Sequence, residues 1–113
     1  MPTSDLDNAL AAQAFSAMGS EARVRVVRTL VRAGPEGLSI GDIQKRLDIP
    51  ASTLAHHLRF LAAGGVIEQE KQGRTVINRA NYDHIRDLAD FLVRECCADC
   101  APCDQTEGGT CGA

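Results

Sequence analysis

The chain has 113 residues, 44% of them hydrophobic and none of them tryptophan, which predicts a single domain with a modest core and excludes a multi-domain organisation. Because no stretch approaches the roughly 18 apolar residues of a membrane span, and no lysine or arginine precedes Arg23 to form the basic start of a signal peptide, we expect a cytoplasmic protein with no membrane partner. The formal net charge of −3 does not by itself favour a nucleic-acid-binding function.

Two amphipathic helices are predicted at the start of the chain. The first covers residues 6–18, where apolar residues recur at every fourth position, and Gly19 ends it. Ser20 is a suitable N-cap for the second helix, which ends near Gly34 and Pro35. The predicted buried stripes are Leu6, Leu10, Ala14 and Met18 in the first helix and Val24, Val27, Leu30 and Val31 in the second.

A short helix and a longer helix with two distinct faces follow, joined by a tight turn. Ser39 and Asp42 have the spacing of a capping pair, and the helix that they begin is expected to bury Ile40, Ile43 and Leu47. Pro50 disfavours helix at the residue before it and suits the first turn of the next helix, which is predicted at residues 51–63. The apolar face of that helix carries Leu54, Leu58 and Leu61, and its polar face carries Ser52, His56 and Arg59.

A β-hairpin is predicted after the fourth helix. Two β-rich runs, Val66 to Lys71 and Arg74 to Arg79, are joined at Gln72-Gly73, and a glycine in such a short connection is typical of a hairpin turn. A short helix, a tight turn, a helix with a polar face and then a hairpin form the order of a winged helix-turn-helix. The predicted fold class is therefore mainly α with a β-hairpin wing.

A last helix is predicted from its cap at Asn81. Its apolar residues are Ile85, Leu88, Leu92 and Phe91, and it is expected to run to about Ala101 because Pro102 cannot continue it. Residues 1–103 would then form one DNA-binding and dimerisation domain, with residues 104–113 as a flexible tail.

A DNA-reading surface can be predicted on the fourth helix and the hairpin. Residues 20–80 carry ten lysines and arginines against six acids, a net charge of +4, whereas the two flanks together carry −7. A recognition helix needs short hydrogen-bonding side chains near its N-terminus and cations that reach phosphates or guanine edges, and a basic hairpin tip adds contacts to the DNA backbone. The predicted DNA-binding residues are Ser52, Thr53, His56, Arg59, Lys71, Gln72 and Arg74. His57 lies about 60° from the leucine stripe on a helical wheel and is expected at the edge of the core instead.

These motifs resemble those of a known family. The resemblance rests on the run Ser52-Thr53-Leu54-Ala55-His56-His57-Leu58-Arg59-Phe60-Leu61, on Ala63-Gly64-Gly65-Val66-Ile67 and on Gly73-Arg74. With them the chain, from about Phe15 to Cys103, resembles the ArsR/SmtB family of dimeric metal-sensing repressors. Ala55 departs from the family, which often has serine there, so we expect little hydrogen bonding from that position. The resemblance implies a homodimer built on the first and last helices, whose two reading heads meet successive major grooves of a palindromic double-stranded operator.

Two metal sites of that family are not expected in this chain. In its arsenic sensors and its lead or cadmium sensors that bind metal before the recognition helix, the pattern is Leu-Cys-Val-Cys-Asp, but the matching run here is Leu38-Ser39-Ile40-Gly41-Asp42, which has no thiol. The family's zinc site on the last helix needs an aspartate, two separated histidines and a further histidine or glutamate. This helix offers only Asp83, His84 and scattered acids, and we expect His84 to be a surface residue.

All five cysteines fall in the last 18 residues, an odd number at one end of the chain, which favours thiols held for metal over a disulfide scaffold. Thiolates select soft or borderline ions, and a three-sulfur pyramid suits trivalent arsenic or antimony, whereas tetrahedral zinc needs a fourth ligand. On an unbroken helix Cys96, Cys97 and Cys100 would share one surface patch. If Pro102 ends the helix, Cys103 could fold back and join the site instead.

The resemblance implies one of these sets. The arsenite sensors that the chain resembles most carry an adjacent cysteine pair at the end of the last helix and a third cysteine after five intervening residues, which implies Cys96, Cys97 and Cys103 as ligands, with Cys100 as the alternative third ligand. Cys111 lies in a glycine-rich tail and is expected to be a spectator. The implied inducer is As(III), with Sb(III) or a methylated As(III) species as related candidates, and its binding would release the repressor from DNA.

Other functions compete with this interpretation. Cys97-x-x-Cys100-x-x-Cys103 matches the start of a ferredoxin-type cluster motif, although the fourth cysteine of that motif is absent, and adjacent thiols could instead form a redox switch. A thiol-rich protein that sequesters metal would bind metal tightly without binding specific DNA. An enzyme is not expected, because the sequence has neither a glycine-rich phosphate loop nor a recognisable nucleophile and base pair.

Overall fold

The fold is that of a winged helix-turn-helix, as predicted. The computed structural model describes residues 6–100, and within them lie five helices and three strands. In chain order these are α1 (Asn8–Ala17), α2 (Glu21–Ala33), β1 (Leu38–Ser39), α3 (Ile40–Leu47), α4 (Ala51–Ala63), β2 (Ile67–Gln72), β3 (Thr75–Ala80) and α5 (Tyr82–Val93). The two-residue strand β1 was not among the predicted elements.

Three of the helix starts follow the capping rules read from the sequence. The Ser20 side chain accepts a hydrogen bond from the Arg23 backbone N–H at 3.1 Å. Ser39 and Asp42 form a reciprocal capping box at the start of α3, and Asn81 caps α5. These caps satisfy backbone N–H groups that have no partner inside their helices.

The three strands form one antiparallel sheet in the order β1-β3-β2. Strands β2 and β3 are the predicted hairpin, but its turn lies at Gly73-Arg74, one residue later than expected, because Gln72 pairs with Thr75. Gly73 has a φ of 64°, in the left-handed region that such a turn requires and that glycine adopts without steric strain.

One fully buried polar side chain ties the short strand to the wing. Asn78, on β3, donates a hydrogen bond to the carbonyl oxygen of Leu38 at 3.2 Å and accepts one from Gln69 at 2.8 Å. These hydrogen bonds join β3 to β1 and to β2. They also pair a buried amide that would be destabilising if it had no partner. They also place the start of α3 beside the sheet.

The core lies between α4, the other helices and the base of the sheet, and its composition corrects two predicted stripes. Leu54, Leu58 and Leu61 of α4 are fully buried, as predicted. The predicted stripes were wrong at Leu10, Val24 and Val31, which are 45%, 42% and 41% exposed. The buried residues of α1 and α2 are Ala11, Ala14, Ala17, Val26, Val27 and Leu30, of which Ala14, Val27 and Leu30 were predicted.

Helix α5 is shorter than predicted. It ends at Val93, and residues 94–99 form turns rather than α-helix. Cys96 and Cys100 accordingly donate backbone hydrogen bonds to residues three positions earlier, Val93 and Cys97. The continuous helix expected as far as Ala101 is therefore wrong, and the predicted tail lies outside the described residues.

No helix in residues 6–100 is both long enough and apolar enough to cross a membrane.

Candidate functional site

Helix α4 separates a buried face from an exposed polar face. Its leucines anchor it in the core, and this leaves Ser52, Thr53, His56 and Arg59 exposed on the outside. Pro50 is its N-cap and provides no side-chain cap. The exposed side chains are hydroxyl, imidazole and guanidinium groups, which can hydrogen-bond to base edges and phosphates.

The wing carries the other predicted DNA-binding residues. Lys71 and Gln72 end β2, Arg74 lies in the turn, and all three are exposed. Arg74 also borders a shallow groove shared with Ser39 and Gly41 at the start of α3. Strand β2 packs against α4, so the wing and α4 belong to one structural unit.

Arg79 is the basic residue of the wing that has a strong internal partner. Its guanidinium lies 2.6 Å from the Glu70 carboxylate and also donates to the Pro35 carbonyl oxygen at 2.8 Å. The hydrogen bond and charge of Arg79 lower the pKa of Glu70 below its ordinary value. The Arg79 side chain is thus already engaged in contacts within the fold. Lys71 and Arg74, in contrast, have no ion pair within the described residues.

An aromatic and cationic stack surrounds His56 and was not predicted from the sequence. The rings of His56 and Phe60 are 4.9 Å apart at 78°, an edge-to-face arrangement. The Arg23 guanidinium carbon lies 5.0 Å from the centroid of the Phe60 ring. The four-residue spacing of His56 and Phe60 on a helix was the available signal for their contact, but the position of Arg23 depends on the packing of α2.

His57 lies at the edge of the core, as predicted. Its Nδ1 atom is buried and has no hydrogen-bond partner, and its side chain is partly buried. Burial, followed by the charges of Arg23 and His56, lowers the pKa of His57. Because the neutral form is favoured, His57 supplies little positive charge for a DNA contact.

His84 was expected on the surface, and the structure leaves it only partly exposed. It is partly buried, and its ring packs over Gly65, where a Cβ atom would lie 3.2 Å from the His84 Nε2 atom. Its backbone N–H donates to the Asn81 side chain at 3.2 Å. His84 therefore packs on the loop between α4 and β2.

The segment after α5, residues 94–100, is called the thiol segment below, and it brings two of the predicted thiol ligands together. The Cys96 and Cys97 sulfur atoms are 3.5 Å apart. Cys97 has a φ of 67°, and Cys96 and Cys100 are exposed free thiols. The backbone hydrogen bond from Cys96 to Val93, at 2.9 Å, joins this pair directly to the end of α5.

The part of the chain that the structure describes brings no third ligand to the thiol pair. Residues 6–100 contain no group of three histidine, cysteine or acidic side chains placed to hold one metal ion. The helical patch expected for Cys96, Cys97 and Cys100 therefore does not form, because α5 has already ended. Cys103, the third predicted ligand, and Cys111 lie outside the described residues.

A cavity of roughly 460 Å³ lies beside the thiol pair. Cys96, Phe91 and Leu92 line it together with Asn8 at the start of α1. The thiol segment is therefore next to both helices that the resemblance assigns to dimerisation.

Comparison with known proteins finds a helix-turn-helix domain and several transcriptional regulators that are similar to this chain. A protein-family model described as a helix-turn-helix domain matches residues 18–70. The uncharacterized HTH-type transcriptional regulator YceK of Bacillus subtilis (strain 168) is 33% identical over 69 residues, which cover 61% of this chain and 68% of the relative. The cadmium resistance transcriptional regulatory protein CadC homolog of Staphylococcus aureus is 27% identical over 79 residues, 70% of this chain and 64% of the relative.

A solved structure shows the same architecture. The ArsR-like transcriptional regulator from Rhodococcus sp. RHA1 is similar with a TM-score of 0.67 and 30% identity, over 76% of this chain and 78% of that one. The family-model match contains α4 and most of β2 but not the cysteines.

Proposed function

The chain belongs to the ArsR/SmtB family of winged-helix transcriptional regulators, and from that premise we propose that it is a repressor released from its operator by trivalent arsenic. The inducer would bind Cys96, Cys97 and Cys103, and Sb(III) or a methylated As(III) species could substitute for arsenite. The observation that carries the proposal is the coexistence of an exposed polar face on α4 with two sulfur atoms 3.5 Å apart at the end of α5.

The surface chemistry of α4 and the wing supports a DNA-binding role. The major groove is about 12 Å wide and admits one helix, and the exposed face of α4 offers Ser52, Thr53, His56 and Arg59 to it. Lys71 and Arg74, which have no ion pair within the described residues, remain available for phosphates. Neutralising phosphates releases counterions, so the affinity should fall as salt is raised.

Exposed apolar residues on the outer helices support a homodimer. Leu92 and Val93 at the end of α5 are 65% and 62% exposed, and Leu10 and Phe15 on α1 are 45% and 38% exposed. A second copy packed on α1 and α5 would remove this surface from water, with a gain of roughly 25 cal/mol per Å² of apolar area. Sedimentation of the purified chain should give a dimer mass, and Leu92→Lys should shift it toward the monomer.

The thiol segment can bind the inducer by exchange of oxygen for sulfur ligands. Arsenous acid and three thiols give an arsenic atom bonded to three sulfurs and three molecules of water, with no change of oxidation state. Cys96 and Cys97 already lie side by side, with their sulfur atoms 3.5 Å apart. A relative whose name refers to cadmium resistance is consistent with a soft metal as inducer.

Binding at this position can be transmitted to DNA through the end of α5. The Cys96 backbone N–H donates a hydrogen bond to the Val93 carbonyl oxygen in the last turn of α5. This hydrogen bond lies next to the exposed apolar residues of the proposed dimer surface. Drawing the segment around arsenic would change the shape of that surface and hence the spacing of the two reading heads. A typical coupling free energy of about 1–3 kcal/mol corresponds to about 5–150-fold in DNA affinity.

The test uses the reduced full chain and a fluorescent duplex that the chain itself selects from a random library. Anisotropy titrations with and without arsenite should show at least about fivefold weaker binding in its presence. The Cys96→Ser, Cys97→Ser double variant should bind the same duplex as tightly as wild type and should not respond to arsenite. Cys111→Ser is the matched control and should respond like wild type.

Two results would overturn parts of the proposal. If wild type selects no duplex, the DNA-binding role fails. If wild type binds a selected duplex with an affinity that arsenite does not change, or if the double variant still responds, the proposed inducer site fails. Cys100→Ser and Cys103→Ser, compared in the same assay, identify the third ligand by loss of the response.

A redox switch is the second candidate, and the two adjacent sulfur atoms of Cys96 and Cys97, 3.5 Å apart, favour it. Two thiols and one molecule of hydrogen peroxide give a disulfide and two molecules of water, so peroxide would replace arsenite as the signal. In this case the oxidised chain loses DNA affinity, and a thiol reductant restores it. Arsenite added to the reduced chain would then have no effect.

A further inference from the structure

Phe60 is a half-exposed aromatic residue on the helix that carries the reading face. It is 47% exposed, although Leu54, Leu58 and Leu61 of the same helix are fully buried. A single exposed hydrophobic residue is common, but Phe60 makes two specific contacts. His56 meets its ring edge-to-face at 4.9 Å, and Arg23 lies over it at 5.0 Å, both within the distances at which these interactions are favourable.

Arg23 is itself fixed by the end of α1. Its Nε donates a hydrogen bond of 2.6 Å to the carbonyl oxygen of Ala17. Ala17 can lie this close to α4 because residue 64 is glycine, where a Cβ atom would come within 2.5 Å of the Ala17 Cβ. A continuous series of contacts therefore runs from the end of α1 through Arg23 and Phe60 to His56.

We propose that Phe60 and Arg23 are positioning residues that hold the His56 imidazole in one orientation for reading a base edge. The inference rests on the proposed DNA-binding function. Phe60 and His56, with Arg59 and Ala63, border one shallow depression on the exposed side of α4, so the stack lies on the face that would enter the groove. A ring held in place before binding loses less conformational freedom on binding than a mobile one.

This role predicts how substitutions change the preference of the protein for one base pair. His56→Ala should remove discrimination at one base pair of the selected duplex. Phe60→Leu should weaken discrimination at that same base pair by roughly three- to tenfold, the size expected of one aromatic pair. Arg23→Met should act in the same direction with a smaller effect. Phe60→Tyr retains the ring and should behave like wild type.

The experiment measures affinity for the selected duplex and for each of its single-base variants. The variants to compare with wild type are H56A, F60L, F60Y, R23M and the double variant H56A/F60L. Because the two residues would act through one contact, the double variant should discriminate no worse than H56A alone. Urea unfolding of each chain without DNA checks that F60L remains folded.

A measurement on the free protein tests the geometry without DNA. The His56 ring protons should show a ring-current shift in the NMR spectrum that F60L removes and F60Y preserves. An unchanged His56 signal in F60L would overturn the stack.

The DNA results separate this inference from the proposed function. A wild-type chain that binds all duplexes equally refutes DNA reading and the positioning role together. Wild-type discrimination combined with additive effects of H56A and F60L, or with an F60L effect at a different base pair, refutes the positioning role alone. Either of these last two results would mean that Phe60 contacts the DNA itself.

Discussion

Replacing Gly64 with alanine should destabilise the fold through one identifiable contact. A Cβ atom at this position would lie 2.5 Å from the Ala17 Cβ and 3.2 Å from the Gln13 carbonyl oxygen, whereas carbon atoms in contact normally lie about 3.5–4.0 Å apart. Helix α1 would have to move outward by about 1 Å. Overpacking of this kind typically destabilises by about 1–3 kcal/mol.

A smaller effect opposes this loss. Gly64 has a φ of −81°, which alanine adopts without strain, so the substitution also restricts the unfolded chain and stabilises by about 0.4–1 kcal/mol. The expected net change is therefore a loss of up to about 2.6 kcal/mol, or about 1.3 kcal/mol at the midpoints of the two ranges. In a domain of this size each kcal/mol lowers the Tm by roughly 4–8 °C.

Gly41→Ala is the matched control, because it makes the same chemical change inside α3. The nearest atom to its added Cβ would be the Ser39 hydroxyl oxygen, at an ordinary 3.8 Å. Alanine is the better helix former by about 0.5–1 kcal/mol, so this variant should be more stable than wild type. The two substitutions are thus expected to have opposite signs.

Urea unfolding followed by circular dichroism, at one protein concentration because association would add to stability, measures both changes. The shift of the midpoint at constant slope gives the difference in stability. If Gly64→Ala unfolds at the same urea concentration as wild type, or at a higher one, while Gly41→Ala behaves as expected, the close packing of α1 on α4 is wrong.

Three further variants test capping and two titrating groups. Ser39→Ala removes the capping box of α3 and should destabilise by about 0.5–2 kcal/mol in the same urea assay; no change in the midpoint would show that the cap contributes nothing. The Arg79 contact lowers the Glu70 pKa, so its stabilisation is present above the ordinary glutamate pKa of about 4.3 and lost as pH falls below it. Glu70→Gln should reduce the loss of stability that occurs as pH falls below about 4.3. A loss as large as in wild type would show that the Arg79 contact does not cause it. Burial lowers the His57 pKa, so the folded state resists protonation and stability falls as pH drops below about 6.5. His57→Gln should reduce this fall in urea midpoints between about pH 6.5 and 5.5, and a decline as steep as in wild type would show that another group causes it.

The local elements of the fold were predictable because their signals lie within a few residues of one another. Capping pairs such as Ser39 and Asp42, the proline at the start of α4 and its leucine spacing act over a turn or two of helix. They located the helix starts, the two faces of α4 and the wing to within a residue or two. The same local pattern identified the exposed residues of the reading surface.

Other predictions were wrong or missing where long-range packing decides which residues are buried and which strands pair. The valines of α2 fit more than one apolar stripe, and only the neighbouring helices determine that Val26 is buried while Val24 and Val31 are exposed. Strand β1 has two residues and exists because β3 pairs with it. A short strand of this kind has no periodic signal of its own.

The sequence by itself determined the order of the five helices and the wing, the polar face of α4 and the concentration of thiols at one end of the chain, because composition and short-range spacing carry that information. Only the tertiary structure decided that α5 ends at Val93 and that Cys96 and Cys97 lie together without Cys100. It also decided that Arg23, distant in sequence, lies over Phe60 beside His56. Such contacts join separate helices, and their geometry depends on how those helices pack rather than on any local pattern.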